Sequence, residues 1–516
     1  MATATNTFVT LPRNTNQAHG IGQYAIDFMS NRIGKPDESV LQRTRLFFTD
    51  AVLVGLSALS LGTNAPCILR AEALEYGDDQ GATVFGSPVR VRPEKAVVAN
   101  CSAVREWDSN GTVFGYNPQL GNTAGEFGHN DFYGVPIAAA QVMNLDGATA
   151  LRGMICLDEI RGRLAEVFSL KSYKIDHVVH GAIASAAVYG AMCGATADQI
   201  ESAIGMVVAH FIPWRAIRAG KQLSDSKGAS AAISSEVAVM SMIRSMNGFM
   251  GPADIFRNPE AIWRQFEPTD GDCPFDLVLG ESGDDFAVMG MHFKIGLYEH
   301  QSAGALHGLI TLIHEHPELC QALDQIERID ITAYEPAYGI IGDPAKKDPK
   351  TRQSADHSMV YIVSTILRKA MDLASQSGLP ETIDETWQAL MLGPYDYSDE
   401  AIFNDRTRAL MGRIHFIHGG KEFDDRYPDG IPTSMVISLA GGESFDSGMV
   451  MYPAGHARNT TSDLNALLDT KFDRHGHLAI AEPTDLIQKC RSIDELTTAQ
   501  LLDLFDFTLL ERRDFH

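Results

Sequence analysis

Cysteine is scarce and scattered in this chain. Seven occur in 516 residues, at Cys67, Cys101, Cys156, Cys193, Cys273, Cys320 and Cys490. Their number is odd and no two stand in C-x-x-C spacing, which argues against a zinc ribbon and against a disulfide framework. Reduced thiols in a reducing compartment are expected. Basic charge is also short, with 42 Lys and Arg against 66 Asp and Glu, a net of −24. Such a field repels phosphate backbones and anionic lipid, so neither nucleic acid nor a membrane is expected as a partner. No run approaches the ~18 apolar residues of a membrane span. The start, MATATNTFVTLPRNTNQAHG, lacks the charged opening and apolar stretch of a signal peptide, and a cytoplasmic protein is expected. Phosphate loops, dinucleotide fingerprints and nucleophile elbows are missing too.

What is present is an ordinary globular composition, 45% hydrophobic and 21% charged, which excludes a disordered or fibrous chain. A length of 516 residues suits two large units or about three of ordinary size. Residues 37 to 62 open the folded part as a helix: Leu41, Phe47, Phe48, Val52, Leu53 and Leu56 recur at helical spacing behind Asp37 and Glu38. Residues 134–150 read as a helix ending at Asp146-Gly147. The Ala-, Gly- and Ser-rich stretch 178–194 reads as a central helix of a tight bundle. Thr196 and Gln199 fit a capping box. After the Gly- and Asp-rich connection 270–285 the period changes. ALHGLITLIHEH (305–316) is still helical, but IERIDITAYEP alternates as a half-buried strand does, and 433–453 gives two strands around Gly441-Gly442. Residues 354–374 form one helix between them, and Ser492 with Glu495 suggests a second capping box. The fold class is therefore mainly α with an α+β part. A large helical domain (1–280 and 457–516) is built from both chain ends, with an α+β lid (281–456) inserted between.

Three groups of residues could carry chemistry. His177 and His180, beside Asp176, share a helix face; two ligands do not make a metal site, and a helix-face pair is the simpler reading. His314 and His316 fit a solvated helix end, and His475 and His477 fit a loop. Asp108 in REWDSNGT and His129 in NTAGEFGHNDFYG stand among Gly, Asn and Ser at loop-like positions, where a carboxylate and an imidazole can move protons near neutral pH. Loop capping would also account for each. WRAIRAGKQLSDSKGASAA gathers Arg215, Arg218, Lys221 and Lys227 against one acid, Asp225, a cationic island suited to a carboxylate or to an exposed helix end.

Taken in order, these segments resemble the MmgE/PrpD family, whose best-known members are 2-methylcitrate dehydratases. SDSKGASAA is similar to its Ser-x-x-Lys-Gly segment. REWDSNGT resembles its D-x-N-D-T segment with Gly111 in place of the second Asp, and EFGHNDFYG its Gly-His segment with Asn130 in place of Pro. YKIDHVVHGAIASAA, MHFKIGLYEHQSAGAL, SADHSMVY and VMYPAGHARN follow as further family-like segments. The resemblance runs from about 37 to 505. It implies a helical domain with an α+β lid, a homodimer, and a site between the domains. It also implies Asp108, His129, His177 and Lys227 as catalytic residues, with Lys221 competing with Lys227, and Arg218, Lys294, Tyr298 and His300 as substrate-binding residues. No metal, iron–sulfur cluster or other cofactor is implied. The expected reaction is dehydration of a tricarboxylate, most simply 2-methylcitrate. A cis-aconitate decarboxylase, a dicarboxylate epimerase or a non-catalytic scaffold stands as an alternative.

Overall fold

The Glu38–Ser60 helix is apolar nearly all round, and sixteen of its residues are buried. A helix of that kind needs partners on every side. It has them in the Pro93–Glu106 helix and in two helices from the far end of the chain, Leu464–Ala479 and Thr484–Arg491. The computed structural model describes residues 5–114, 117, 119–120, 126–218, 223–321, 323–340, 346–512 and 515. Among them, no single helix is long and apolar enough to cross a membrane.

Val178–Met192 is the other central helix, packed between Gly147–Val167, Ala197–His210 and Ser230–Met246. Its small residues set the spacing: a Cβ on Gly181 would come within 2.2 Å of the Phe132 ring, and one on Gly190 within 2.6 Å of Met242 Sδ. Close-packed interiors leave no room for either atom.

The middle of the chain builds a four-stranded sheet in the order Ser444–Asp446, Thr433–Leu439, Ile326–Ala333, Ile414–His418. Ile329, Ile331 and Ala333 face the core and pair with Ile437, Met435 and Thr433, so the alternation seen in the sequence marks the buried face. The last pair in the sheet is parallel, Ile329 opposite Ile414. Helices Ala303–Glu315 and Met359–Gln376 accompany this sheet. The chain is mainly α with an α+β part.

Several local features differ from the sequence reading. The fold opens before residue 37, with strand Thr7–Leu11 pairing Leu277–Gly283 and helix Gln17–Met29 capped by Asn16. The 134–150 segment is two helices: Gly134–Val142 ends, Asp146 caps Thr149 N–H, and Gly147 starts the next helix because a Cβ there would strike Ile493 O at 1.7 Å. The capping box in the C-terminal stretch belongs to Thr497 and Gln500, not to Ser492 and Glu495. His475 and His477 lie within the Leu464–Ala479 helix, not in a loop. The 354–374 helix is broken: Arg352–Ala355 stops, and Ser358 caps a new helix from Met359. That break shapes the site.

Candidate active site

The Pro93–Glu106 helix delivers the central carboxylate. It stops at Trp107, whose backbone is extended and whose fully buried indole donates to Ser57. With that wedge fixed, the turn Asp108-Ser109-Asn110 projects inward. Asp108 is 3% exposed. Its Oδ1 accepts from Lys294 Nζ at 2.6 Å and from Arg105 at 3.1 Å. Its Oδ2 lies 3.1 Å from His357 Nε2 and 3.8 Å from Lys227 Nζ. His357 sits in the break between helices, where its Nδ1 contacts Asp356, and Arg352 reaches both Asp356 (3.7 Å) and Glu106. The backbone is spliced as well: Tyr298 N–H donates to Asp108 O at 3.1 Å, and Thr112 and His292 exchange backbone hydrogen bonds. Side chains from 105–108 and 227 thus meet side chains from 294 and 352–357.

Burial alone would raise the Asp108 pKa, but Lys227, Lys294, His357 and Arg105 outweigh it and hold the carboxyl well below the usual carboxylate range. The magnitudes agree. Desolvating a carboxylate costs several kcal/mol, while each unit charge about 4 Å away returns roughly 4 kcal/mol at an effective dielectric near 20. Burial and then Lys227 pull His357 down to about 4, against Asp108 and Asp356. His357 thus bridges two carboxylates, with Nε2 on Asp108 and Nδ1 on Asp356. Glu299 is the opposite case. Burial, then the Asp108 charge, push its carboxyl up to about 7, offset in part by Lys294 and Lys346. The site therefore contains an acid that titrates near neutrality.

Asp108, Asp356 and His357 bring ligand atoms within 4.8 Å of one another, a spacing a metal ion could use. The same Asp108 oxygens already contact two lysines and an arginine, which a cation would have to displace. The donor set fits an anionic ligand better than a metal.

Residues 27–271 match the MmgE/PrpD N-terminal domain, and residues 298–490 match the MmgE/PrpD C-terminal domain. The chain belongs to the MmgE/PrpD family. It is 24% identical over 492 residues to a probable 2-methylcitrate dehydratase of Saccharomyces cerevisiae, covering 90% of this chain and 88% of the relative. It is 26% identical over 485 residues to a mitochondrial 2-methylcitrate dehydratase of Yarrowia lipolytica (90% and 84%). A 2-methylcitrate dehydratase of Escherichia coli K12 is 23% identical over 405 residues (75% and 76%). The relationship to proteins named as hydro-lyases thus extends over most of the chain.

Against this MmgE/PrpD background, Asp108, Lys227 and Lys294 converge. His129 begins the short 3-10 helix His129–Phe132, though its side chain lies outside the described part. His177 is the buried residue just before the Val178–Met192 helix, with Nδ1 3.7 Å from Asp176, and that helix packs on the Phe132 turn. Lys221 lies outside the described residues, as does the side chain of Arg218. The Tyr298 hydroxyl accepts from Ile295 N–H at 2.8 Å and is committed within its own loop. His300 is buried in a stack with His292 and His456. Burial and Lys294 keep its imidazole well below the ordinary histidine pKa, hence neutral. Sequence reasoning missed Arg105, Asp356, His357 and Glu299. For His357 a signal existed: Ser358 ahead of MVYIVSTIL is an N-cap, so His357 directly before it could not lie inside that helix.

Proposed function

We propose that this MmgE/PrpD protein is a hydro-lyase acting on a small tricarboxylate, with 2-methylcitrate as the substrate that best fits. Three features support it: two lysines and a histidine on one buried carboxylate, a site drawn from both family domains, and relatives that bear this name over most of their length. A base removes the proton alpha to a carboxylate, its electron pair forms the C=C bond, the tertiary C–O bond breaks, and the oxygen leaves as water with a proton from an acid. Lys227 and Lys294 would hold substrate carboxylates and stabilise charge as it builds. His129 and His177 serve as base and acid in either order, while the ionised Asp108 holds the two lysines in place. No metal is required, since the side-chain cations occupy the place a metal would take. Residues 281–456 act as the lid on a base formed by 1–280 and 457–516, in a homodimer in the cytoplasm.

The test is incubation of the purified protein with 2-methylcitrate, citrate and cis-aconitate, followed by mass spectrometry of the products. Loss of water from 2-methylcitrate is expected. Loss of carbon dioxide would make the protein a decarboxylase, and inversion without mass change an epimerase. No turnover of any acid would favour the scaffold.

A further inference from the structure

Lys471 lies on the Leu464–Ala479 helix, far in sequence from the site, and is fully buried. An ammonium has three protons and no acceptor capacity, so burial demands three acceptors. It has them: Asp50 Oδ1 at 2.6 Å, the Ser109 carbonyl at 2.8 Å and the Lys294 carbonyl at 2.9 Å. The two carbonyls belong to the two loops that carry Asp108 and Lys294, an ion pair at the centre of the site. The Asn130 amide lies beside Asp50, donates to Phe47 O and accepts from Gly111 N–H at 2.9 Å. Gly111 and Asn130, the two departures from the family pattern, are therefore bonded to each other beside that ion pair.

We infer that Lys471 is a positioning residue: its ammonium clamps the 108–109 and 294 backbones together and so sets the spacing of Asp108 and Lys294. Neither catalytic chemistry nor substrate contact is assigned to it. A buried pair of this kind gives weak net stabilisation, whereas losing one partner leaves an uncompensated charge. Its geometric effect is larger, because a shift of about 1 Å in a catalytic group can lower turnover about 10²-fold.

The inference rests on the proposed dehydratase reading, and the two can fail separately: an inactive wild-type protein would remove the reading, while the clamp is tested against active wild-type protein and by structure. Asp50→Asn and Asp50→Asn/Lys471→Met would be compared. The first keeps the ammonium on both carbonyls and should lower kcat less than tenfold. The second removes the clamp without leaving a bare carboxylate. It should lower kcat about a further 10²-fold with KM changed less than tenfold, while circular dichroism shows a folded protein. Its crystal structure should show Lys294 Nζ moved off Asp108 Oδ1 from the present 2.6 Å. If the double variant does not fold, Lys471→Gln, whose amide can still donate to a carbonyl, should recover folding with intermediate kcat. A folded double variant with the kcat of Asp50→Asn, or an unmoved Lys294, would overturn the inference. So would failure of every Lys471 variant to fold, since the ammonium would then serve the fold alone.

Discussion

Two buried lysine–aspartate pairs lie back to back in this molecule, each 2.6 Å long, and they differ in what surrounds them. Lys471 and Asp50 are both fully buried, and the ammonium is committed to two backbone carbonyls besides its ion pair. Lys294 and Asp108 are instead crowded by Lys227, Arg105 and His357, and by the carboxyl of Glu299. A pair whose ammonium is committed to the backbone holds a shape. A pair with further titratable groups around it can exchange partners with a ligand and move protons. The same two residue types thus serve as a brace in one place and as chemistry in the other, and their neighbours decide which.

Removing the open pair's carboxylate should have the largest effect. Asp108→Asn is expected to lower kcat about 10²-fold, because Lys227 and Lys294 lose the charge that positions them. It should also destabilise by about 3–5 kcal/mol, because it leaves buried cations uncompensated; steady-state kinetics and urea titration read the two effects. The mirror change in the closed pair, Asp50→Asn, should lower stability while sparing kcat. Equal kcat losses in both would break the comparison. Next in size, Lys227→Ala should raise KM by an amount equivalent to ~1.5–3 kcal/mol, that of a charge-assisted hydrogen bond. Lys221→Ala is its control, and a silent Lys227→Ala beside a damaging Lys221→Ala would move the site's lysine.

A further effect concerns pH. Glu299 has its carboxyl raised from 4.5 to about 7, so its protonated form favours the fold. That contribution is fully present below about pH 4.5 and is lost as pH rises through about 7. At ~1.4 kcal/mol per unit, the loss is about 3.5 kcal/mol at most. Relative to Glu299→Gln, the wild-type protein should therefore lose stability between those pH values, measured by thermal unfolding at each pH. Parallel curves would show that Glu299 does not titrate there.

Much of this was legible in the sequence because periodicity and burial coincide. The apolar Glu38–Ser60 helix, the small-residue Val178–Met192 helix and the Ile329/Ile331/Ala333 alternation all bury the face their pattern marks. Asp108, Lys227 and Lys294 could be picked out because they sit in family-like segments. Other features were hidden for physical reasons. Gly147 looks like a helix stop, but the nearby Ile493 carbonyl demands a residue without a side chain. His475 reads as loop beside Gly476 and His477, yet it is a buried helical residue bonded to Ser57. Asp50 and Lys471 each stand in an amphipathic or apolar run where one charge carries no local signal. Their meaning is a contact across 421 positions, visible only after folding.

The measurement that tests the central claim most directly is turnover after exhaustive chelation. Protein treated with a strong chelator and exchanged into metal-free buffer would be assayed on 2-methylcitrate beside an untreated control, with and without added iron or zinc. If the lysines and proton-sharing groups around Asp108 carry the dehydration, the two rates will match and added metal will not raise either. Turnover that disappears on chelation and returns with iron or zinc would contradict the account.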